Sequence, residues 1–396
     1  MQPAIDLYTA ILLLGAVQGL FLTLALLNTE NTQSAGHGFL ALLTLVFSID
    51  LALEFLLQSR YLMDHLWFTY LYPGIDFLFG PLAYLYVHRL TARQKKRFSN
   101  RQWLHFLPFA AGFVILIPFF LLDNAQLHTL FYLEGESDDA AIVWAEISLG
   151  LVGVITLLQM AIYLVLAIRK LIRHRYIIRE EFSSLERISL AWLRNLLIAL
   201  GILYLLYLFD LFFSDIDGEI YHLHNLMVVI VIYTMGYMGL RQAAIFTPYT
   251  RLTDASAQTA ETPPQRAKYV RSALDSDTSA LLLAELQRHM KSEQPYLDNK
   301  LTLSQLAGQI GISSNYLSQI INEQLRQNFF DFINRHRVET AMQALSDPAQ
   351  LDTNILSIAL NAGFNSKSAF YTAFKEHTGQ TPSHYRKTRT ADSEPK

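Results

Sequence analysis

The chain has no cysteine among its 396 residues, which excludes disulfides, thiol nucleophiles and thiolate metal sites. Charge is scarce as well. Asp, Glu, Lys and Arg make up 16% of the residues and apolar types 52%, against roughly 25% and 45–50% in soluble domains. The scarcity is uneven, because long apolar stretches fill about the first 240 residues while the rest reads as soluble protein. Catalytic signatures are missing too: the chain contains no HExxH, no GxSxG and no GxxxxGK[ST]. No enzymatic activity, cofactor or metal is expected. The net charge of −3 hides strong local asymmetry and decides little.

Seven segments are long and apolar enough to cross a bilayer, which takes about 17–25 helical residues. They lie near Leu7–Asn28, Phe39–Leu57, Leu66–Val87, Trp103–Leu122, Ala141–Ile168, Ile188–Phe213 and Leu223–Leu240. The first lacks a basic leading region and exceeds the length of a signal-peptide core, so it is expected to be retained.

Loop charge sets the expected orientation. The loop after the third segment carries Arg89, Arg93, Lys95, Lys96, Arg97 and Arg101; the one after the fifth carries Arg169, Lys170, Arg173, Arg175, Arg179 and Arg187. The 123–139 and 214–222 loops carry acids and no Lys or Arg. Basic loops stay in the cytoplasm, which puts the N-terminus outside and everything after Leu240 inside. Trp67 and Trp144 then fall at outer helix ends and Trp103 and Trp192 at inner ones, as an aromatic belt requires.

Acidic residues inside these segments stand out, since lipid does not tolerate them facing outward. Asp50 and Glu54 share a helix face, and Asp76 lies between Pro73 and Pro81. Glu146, Asp210, His222 and His224 sit toward outer ends, and Arg194 can snorkel at an inner one. Two readings stand: an outward-facing pocket formed by Asp50, Glu54 and Asp76 for a small-molecule or cationic signal, or ordinary interhelical hydrogen bonds.

Beyond Leu240 a polar run, Asp254–Gln265, includes Pro263–Pro264 and cannot bury a core, so it reads as a tether spanning on the order of 20 Å. Amphipathic helical patterning follows. Asp277–Thr278 can cap a helix carrying Leu282, Leu283 and Leu286. Thr302 can cap a helix with Leu303, Leu306 and Ile310 inward and the small Ala307 where a second helix must approach. Gly311 suits a left-handed turn, and Ser313 or Ser314 caps a helix burying Leu317, Ile320 and Ile321. That is a helix-turn-helix. A connecting helix with Phe330, Ile333, Val338, Ala341 and Leu345 ends at Asp347–Pro348. The pattern then recurs, with Ile355, Ile358, Ala359 and Leu360, a turn at Gly363, and a helix capped by Ser366 that buries Phe370 and Phe374 and stops at Gly379.

The second copy carries Ile358–Ala359, Gly363–Phe364, Phe374–Lys375, Gly379 to Pro382 and Tyr385–Arg386. Over roughly Lys291–Thr388 the chain closely resembles the DNA-binding domain of AraC/XylS-family bacterial transcription regulators. Two departures are Leu360–Asn361–Ala362 and Arg326–Gln327–Asn328, where many members have more polar residues and a glycine respectively. Upstream, Gly80–Val87 and Gly236–Gln242 resemble the subgroup whose N-terminal part is a multi-span membrane domain. By position, the resemblance implies base-facing residues Asn315, Ser318 and Gln319 on the first recognition helix and Lys367, Ser368 and Thr372 on the second. Helical geometry independently places Asn315, Ser318, Gln319 and Asn322 opposite Leu317 and Ile320. Asn and Gln suit adenine, and Lys367 suits guanine or a phosphate. Arg335, Arg337, Lys375, Arg386 and Lys387 are expected at phosphates.

The expected whole is an all-α chain. Residues 1–246 form a seven-helix transmembrane sensor bundle, 247–267 a linker, 268–290 a pre-domain helix, 291–390 the tandem helix-turn-helix domain and 391–396 a tail. Its function is that of a membrane-bound transcription regulator, and the competing reading is a transporter with an appended regulatory domain. Between Lys291 and Thr390 ten basic residues face eight acidic ones, so one copy binds DNA weakly. The implied partners are double-stranded DNA, the lipid bilayer, a second copy on DNA, an unidentified signal and, for an activator, RNA polymerase.

Overall fold

The computed structural model describes residues 5–28, 36–62, 65–92, 100–132, 137–186, 188–213, 223, 225–238, 276–350 and 352–391. The 254–265 tether, Arg93 to Arg97, His222 and His224 lie outside them. Among the described residues all regular elements are helical, and the sole β feature is an isolated antiparallel bridge between Phe182 and Thr302. The chain packs as two units. One comprises Met1–Ile172 with Leu190–Ala255, the other Arg173–Ser189 with Ser256–Lys396.

In the first unit, α1 (Leu7–Asn28), α2 (His37–Gln58) and α7 (Ala140–Glu181) are the helices long and apolar enough to cross a membrane by length and composition. Seven such helices are expected from the sequence; the other four segments are helical over their described residues, with the following differences. The third enters as a 3-10 turn, Leu66–Leu71, before α3 (Tyr72–Leu90), which contains Pro81. The fourth is broken into a 3-10 turn, Asn100–Phe106, then α4 (Leu107–Ile115) and α5 (Ile117–Phe120). Pro118 has no N–H for Val114 and its ring crowds that carbonyl, so the helix stops at Leu116. The expected 123–139 loop contains α6 (Asn124–Tyr132). Beyond α7 come α8 (Ala191–Phe213) and α9 (Asn225–Met238), whose described apolar stretches are shorter than a span.

The unit is apolar outside and hydrogen-bonded inside. Leu14, Val17 and Phe21 of α1 and Leu151, Val154 and Leu158 of α7 are exposed. Inward, the hydroxyls of Thr23 and Thr44 meet at 2.9 Å, Ser48 donates to the Ala16 carbonyl, and Gln159 donates to the Phe77 carbonyl at 3.0 Å. Small residues let the helices approach: Gly236 on α9 is where a Cβ would strike Leu22 of α1. The Asn225 amide also donates to the Tyr8 hydroxyl at 2.9 Å.

In the second unit, α10 (Ser276–Ser292) precedes α11 (Leu303–Gln309), α12 (Ser314–Gln324), α13 (Phe329–Ser346), α14 (Ile355–Asn361), α15 (Lys367–Thr378) and α16 (Pro382–Ala391). Thr302 and Gln305 form a reciprocal capping box on α11, while Ser313 caps α12, Asn328 caps α13 and Ser366 caps α15. Two cores result. One gathers Leu286, Leu306, Leu317, Ile321 and Phe332; the other gathers Val338, Ala341, Ile358, Phe370 and Phe374. Helix α13 contributes to both, Leu360 lies exposed, and Phe330 is half-buried.

Gly363 has φ of +89°, and a Cβ there would sit 2.5 Å from the Tyr296 carbonyl oxygen. Gly363→Ala therefore combines a left-handed backbone with a backbone clash. It should destabilise the second unit by about 3 kcal/mol. The measurement is hydrogen exchange over α14 and α15 in the detergent-solubilised chain, where protection should fall roughly a hundredfold. Unchanged protection would contradict this account.

Candidate nucleic-acid interface

Helices α12 and α15 occupy equivalent places in two successive helix-turn-helix motifs. Each follows a glycine turn in the left-handed region, Gly311 at φ +71° and Gly363 at φ +89°, and each starts from a serine cap. The Ser313 hydroxyl accepts from the Tyr316 N–H at 3.3 Å and the Ser366 hydroxyl from the Ala369 N–H at 3.2 Å. Burying Leu317, Ile320 and Ile321 on α12 and Phe370 and Phe374 on α15 fixes which faces remain outward.

On α12, Asn315 and Asn322 are exposed and Ser318 and Gln319 partly so. The Gln319 amide donates to both Glu323 carboxylate oxygens, at 3.2 and 3.1 Å, and the Asn322 amide donates to Ser318 at 3.2 Å. On α15, Lys367, Ser368 and Thr372 are all exposed, and the Lys367 ammonium lies 5.3 Å from the centroid of the Tyr371 ring. The structure thus brings each set of sequence-derived residues onto an outward face of its helix. The turn into α13 carries Arg326 at φ +53°, within the Arg326–Gln327–Asn328 stretch where the family resemblance puts a glycine.

The five expected phosphate contacts divide. Lys375 and Lys387 are exposed. Arg335 is partly exposed, 3.8 Å from Glu339, and Arg386 donates to the Thr353 carbonyl at 2.8 Å. Arg337 is misplaced by the sequence reading. Only 1% exposed, its guanidinium donates to the carbonyls of Tyr296 (2.7 Å), Ser183 (2.8 Å) and Asp298 (2.8 Å) and to the Ser183 hydroxyl (3.0 Å). Burial pushes its pKa down to about 10, with Asp298 opposing, so it stays charged at neutral pH. Helical periodicity does place residue 337 on the face of the core residues Ile333 and Ala341, but it cannot show that carbonyls wait there.

Sequence reasoning also missed the residues that meet this domain from upstream. The basic stretch after the fifth apolar segment, expected as a loop, is helical as far as Glu181. Its last nine residues and those after it, Arg173–Ser189, belong to the second unit. Arg179 pairs with Asp331 at 2.7 Å, the Ser183 hydroxyl donates to the Leu301 carbonyl at 2.7 Å, and Phe182 bridges to Thr302. No local pattern signals such long-range pairing.

In the first unit the expected pocket acids Asp50 and Glu54 lie on α2 and Asp76 on α3. Asp50 on α2 is within electrostatic reach of both Glu54 and Asp76 on α3. Glu54 is 2% exposed and accepts from Gln58 at 2.9 Å and from the Tyr72 hydroxyl at 3.2 Å. Among the described residues no group of His, Asp or Glu has an arrangement that could hold a metal ion.

Residues 306–388 match the family model described as a helix-turn-helix domain. An uncharacterized HTH-type transcriptional regulator of Staphylococcus aureus (strain COL) is 39% identical over 94 residues, 24% of this chain and 12% of that protein. The melibiose operon regulatory protein of Escherichia coli (strain K12) is 34% identical over 90 residues, 23% of this chain and 29% of that protein. The C-terminal domain of AraT, a response regulator from Geobacillus stearothermophilus, aligns with 29% identity and a TM-score of 0.24, covering 30% of this chain and 88% of that domain. The chain spans less than a third of the length of these two curated relatives, and the similarity lies in its C-terminal part. That part of the chain carries a helix-turn-helix domain of the kind found in HTH-type transcriptional regulators.

Proposed function

We propose that this protein is a membrane-bound, sequence-specific DNA-binding transcription regulator of the AraC type. The observation that carries the reading is the pair of serine-capped helices, α12 and α15, each set behind a left-handed glycine turn at either end of α13. Two recognition helices in one domain suit successive major grooves, about one helical turn apart. Asn315, Ser318, Gln319 and Asn322 read bases from α12, and Lys367, Ser368 and Thr372 read them from α15. Lys375, Lys387, Arg335 and Arg386 hold the phosphate backbone, while Arg337 is assigned to the interior. With a nearly balanced charge in the domain, two copies bind together on a full site.

The apolar outer surface of the first unit supports insertion in a bilayer, with the basic 89–101 and 169–187 segments in the cytoplasm. In that orientation the N-terminus is outside and the DNA-binding domain inside, and the membrane part serves as sensor or anchor. The partners of Glu54 favour a structural role for that carboxyl over a transport pathway.

Selection from a pool of random-sequence duplexes tests the DNA reading. Asn315→Ala with Gln319→Ala should weaken the selected site by about 1–3 kcal/mol and relax preference at a few adjacent positions. Lys375→Ala should weaken all duplexes alike and reduce the salt slope by about one. Selection of no common sequence by the intact protein would sink the reading. Orientation is checked separately with reporter fusions: an alkaline phosphatase placed after Tyr132 should be active and one placed after Thr388 inactive. The reverse pattern would refute the assigned topology.

A further inference from the structure

We infer that the segment Arg179–Glu186 is an autoinhibitory strap, which holds the two helix-turn-helix motifs together and keeps two carboxylates on the groups that DNA must engage. This rests on the DNA-binding reading above. The segment touches both motifs within a few residues of chain. Glu180 accepts from the Asn322 side-chain amide of α12 at 3.0 Å, so a residue placed to read a base is already engaged by an acid. Six residues on, Glu186 accepts from the Ser366 hydroxyl, the cap of α15. Beside it the Asn365 amide donates to the Ser184 hydroxyl at 2.6 Å. A helix N-terminus favours an anion, and a DNA phosphate would compete there with the Glu186 carboxylate.

Between these two acids the strap is fastened independently of them. The Ser183 N–H and hydroxyl both donate to the Leu301 carbonyl, and its own carbonyl and hydroxyl accept from the buried Arg337. Arg179 adds the ion pair with Asp331 and lies 5.3 Å from the centroid of the Phe330 ring. The anchor is thus neutral or basic, with Ser183 directed at the domain's interior and Arg179 at its half-exposed edge. The acids are directed at its exposed recognition elements. A segment serving only to pack the domain would need the anchor and not the carboxylates. Linking the far end of α12 to the start of α15 also fixes the separation of two helices that must match the spacing of successive grooves.

The cysteine-free chain makes the test clean. Full-length protein in detergent is compared with Glu180→Gln/Glu186→Gln on duplexes selected from a random-sequence pool. The variant should bind the same selected duplex about tenfold more tightly, since the charges that hold Asn322 and the α15 N-terminus are neutralised. In a second arm, Ser184→Cys/Asn365→Cys is joined by a short bis-methanethiosulfonate reagent, whose links reduction cleaves. The linked protein should lose binding at least tenfold and regain it on reduction. Equal or weaker binding by the charge variant, or full binding by the linked protein, overturns the strap while leaving the DNA reading intact. If neither the wild type nor the reduced variant selects any common sequence, the DNA reading fails and the strap falls with it.

Discussion

A guanidinium taken out of water must be satisfied on nearly every N–H, because an uncompensated buried charge destabilises a fold by several kcal/mol. Arg337 meets that demand with carbonyls from two separate stretches of chain, Tyr296 and Asp298 in one turn and Ser183 far upstream, and with the Ser183 hydroxyl. The consequence spreads outward. The 295–298 turn must close over α13, Gly363 must have no side chain so that its backbone can lie beside the Arg337 Nε and the Tyr296 carbonyl, and Phe364 packs with its ring centroid 6.0 Å from the guanidinium carbon. The two helix-turn-helix motifs therefore meet at a polar centre rather than an apolar one. Their own cores lie on either side of it.

The first unit, placed in a bilayer as proposed, solves the opposite problem. Lipid offers apolar side chains nothing to escape from, so association depends on close backbone approach and on polar pairs sealed inside. The meeting of Thr23 with Thr44, the Ser48 bond to Ala16 and the Gln159 bond to Phe77 are pairs of that kind. The Glu54 carboxyl, enclosed by Gln58 and Tyr72, follows the same logic.

Local signals were legible in the sequence and distant ones were not. Thr302, Ser313 and Ser366 as caps, and Gly311, Gly363 and Gly379 at positive φ, were readable because each acts within a few residues of itself. The apolar faces of α12 and α15 were readable through their period. Hydropathy marks seven segments, while among the described residues three helices meet both length and composition; in the fourth segment Pro118 acts on hydrogen bonding, which composition does not weigh. It also ended the fifth helix too early: charge stops a span but does not stop a helix, and α7 runs on to Glu181. Arg337 and the Arg179–Glu186 contacts were invisible because their partners lie 39 to 181 residues away.

Those separations have a kinetic side. The strap and the surface it covers belong to one polypeptide, so docking is a ring closure rather than an encounter between molecules. The partner's effective concentration is then set by the intervening chain, on the order of millimolar for flexible connections. It is independent of how many copies the cell holds. Loop closure grows only slowly more costly with length, so even the long path from Glu186 to Asn365 taxes it little. A few hydrogen bonds, too weak to hold two free proteins together, are enough in this arrangement. DNA competes against a rival that dilution never removes.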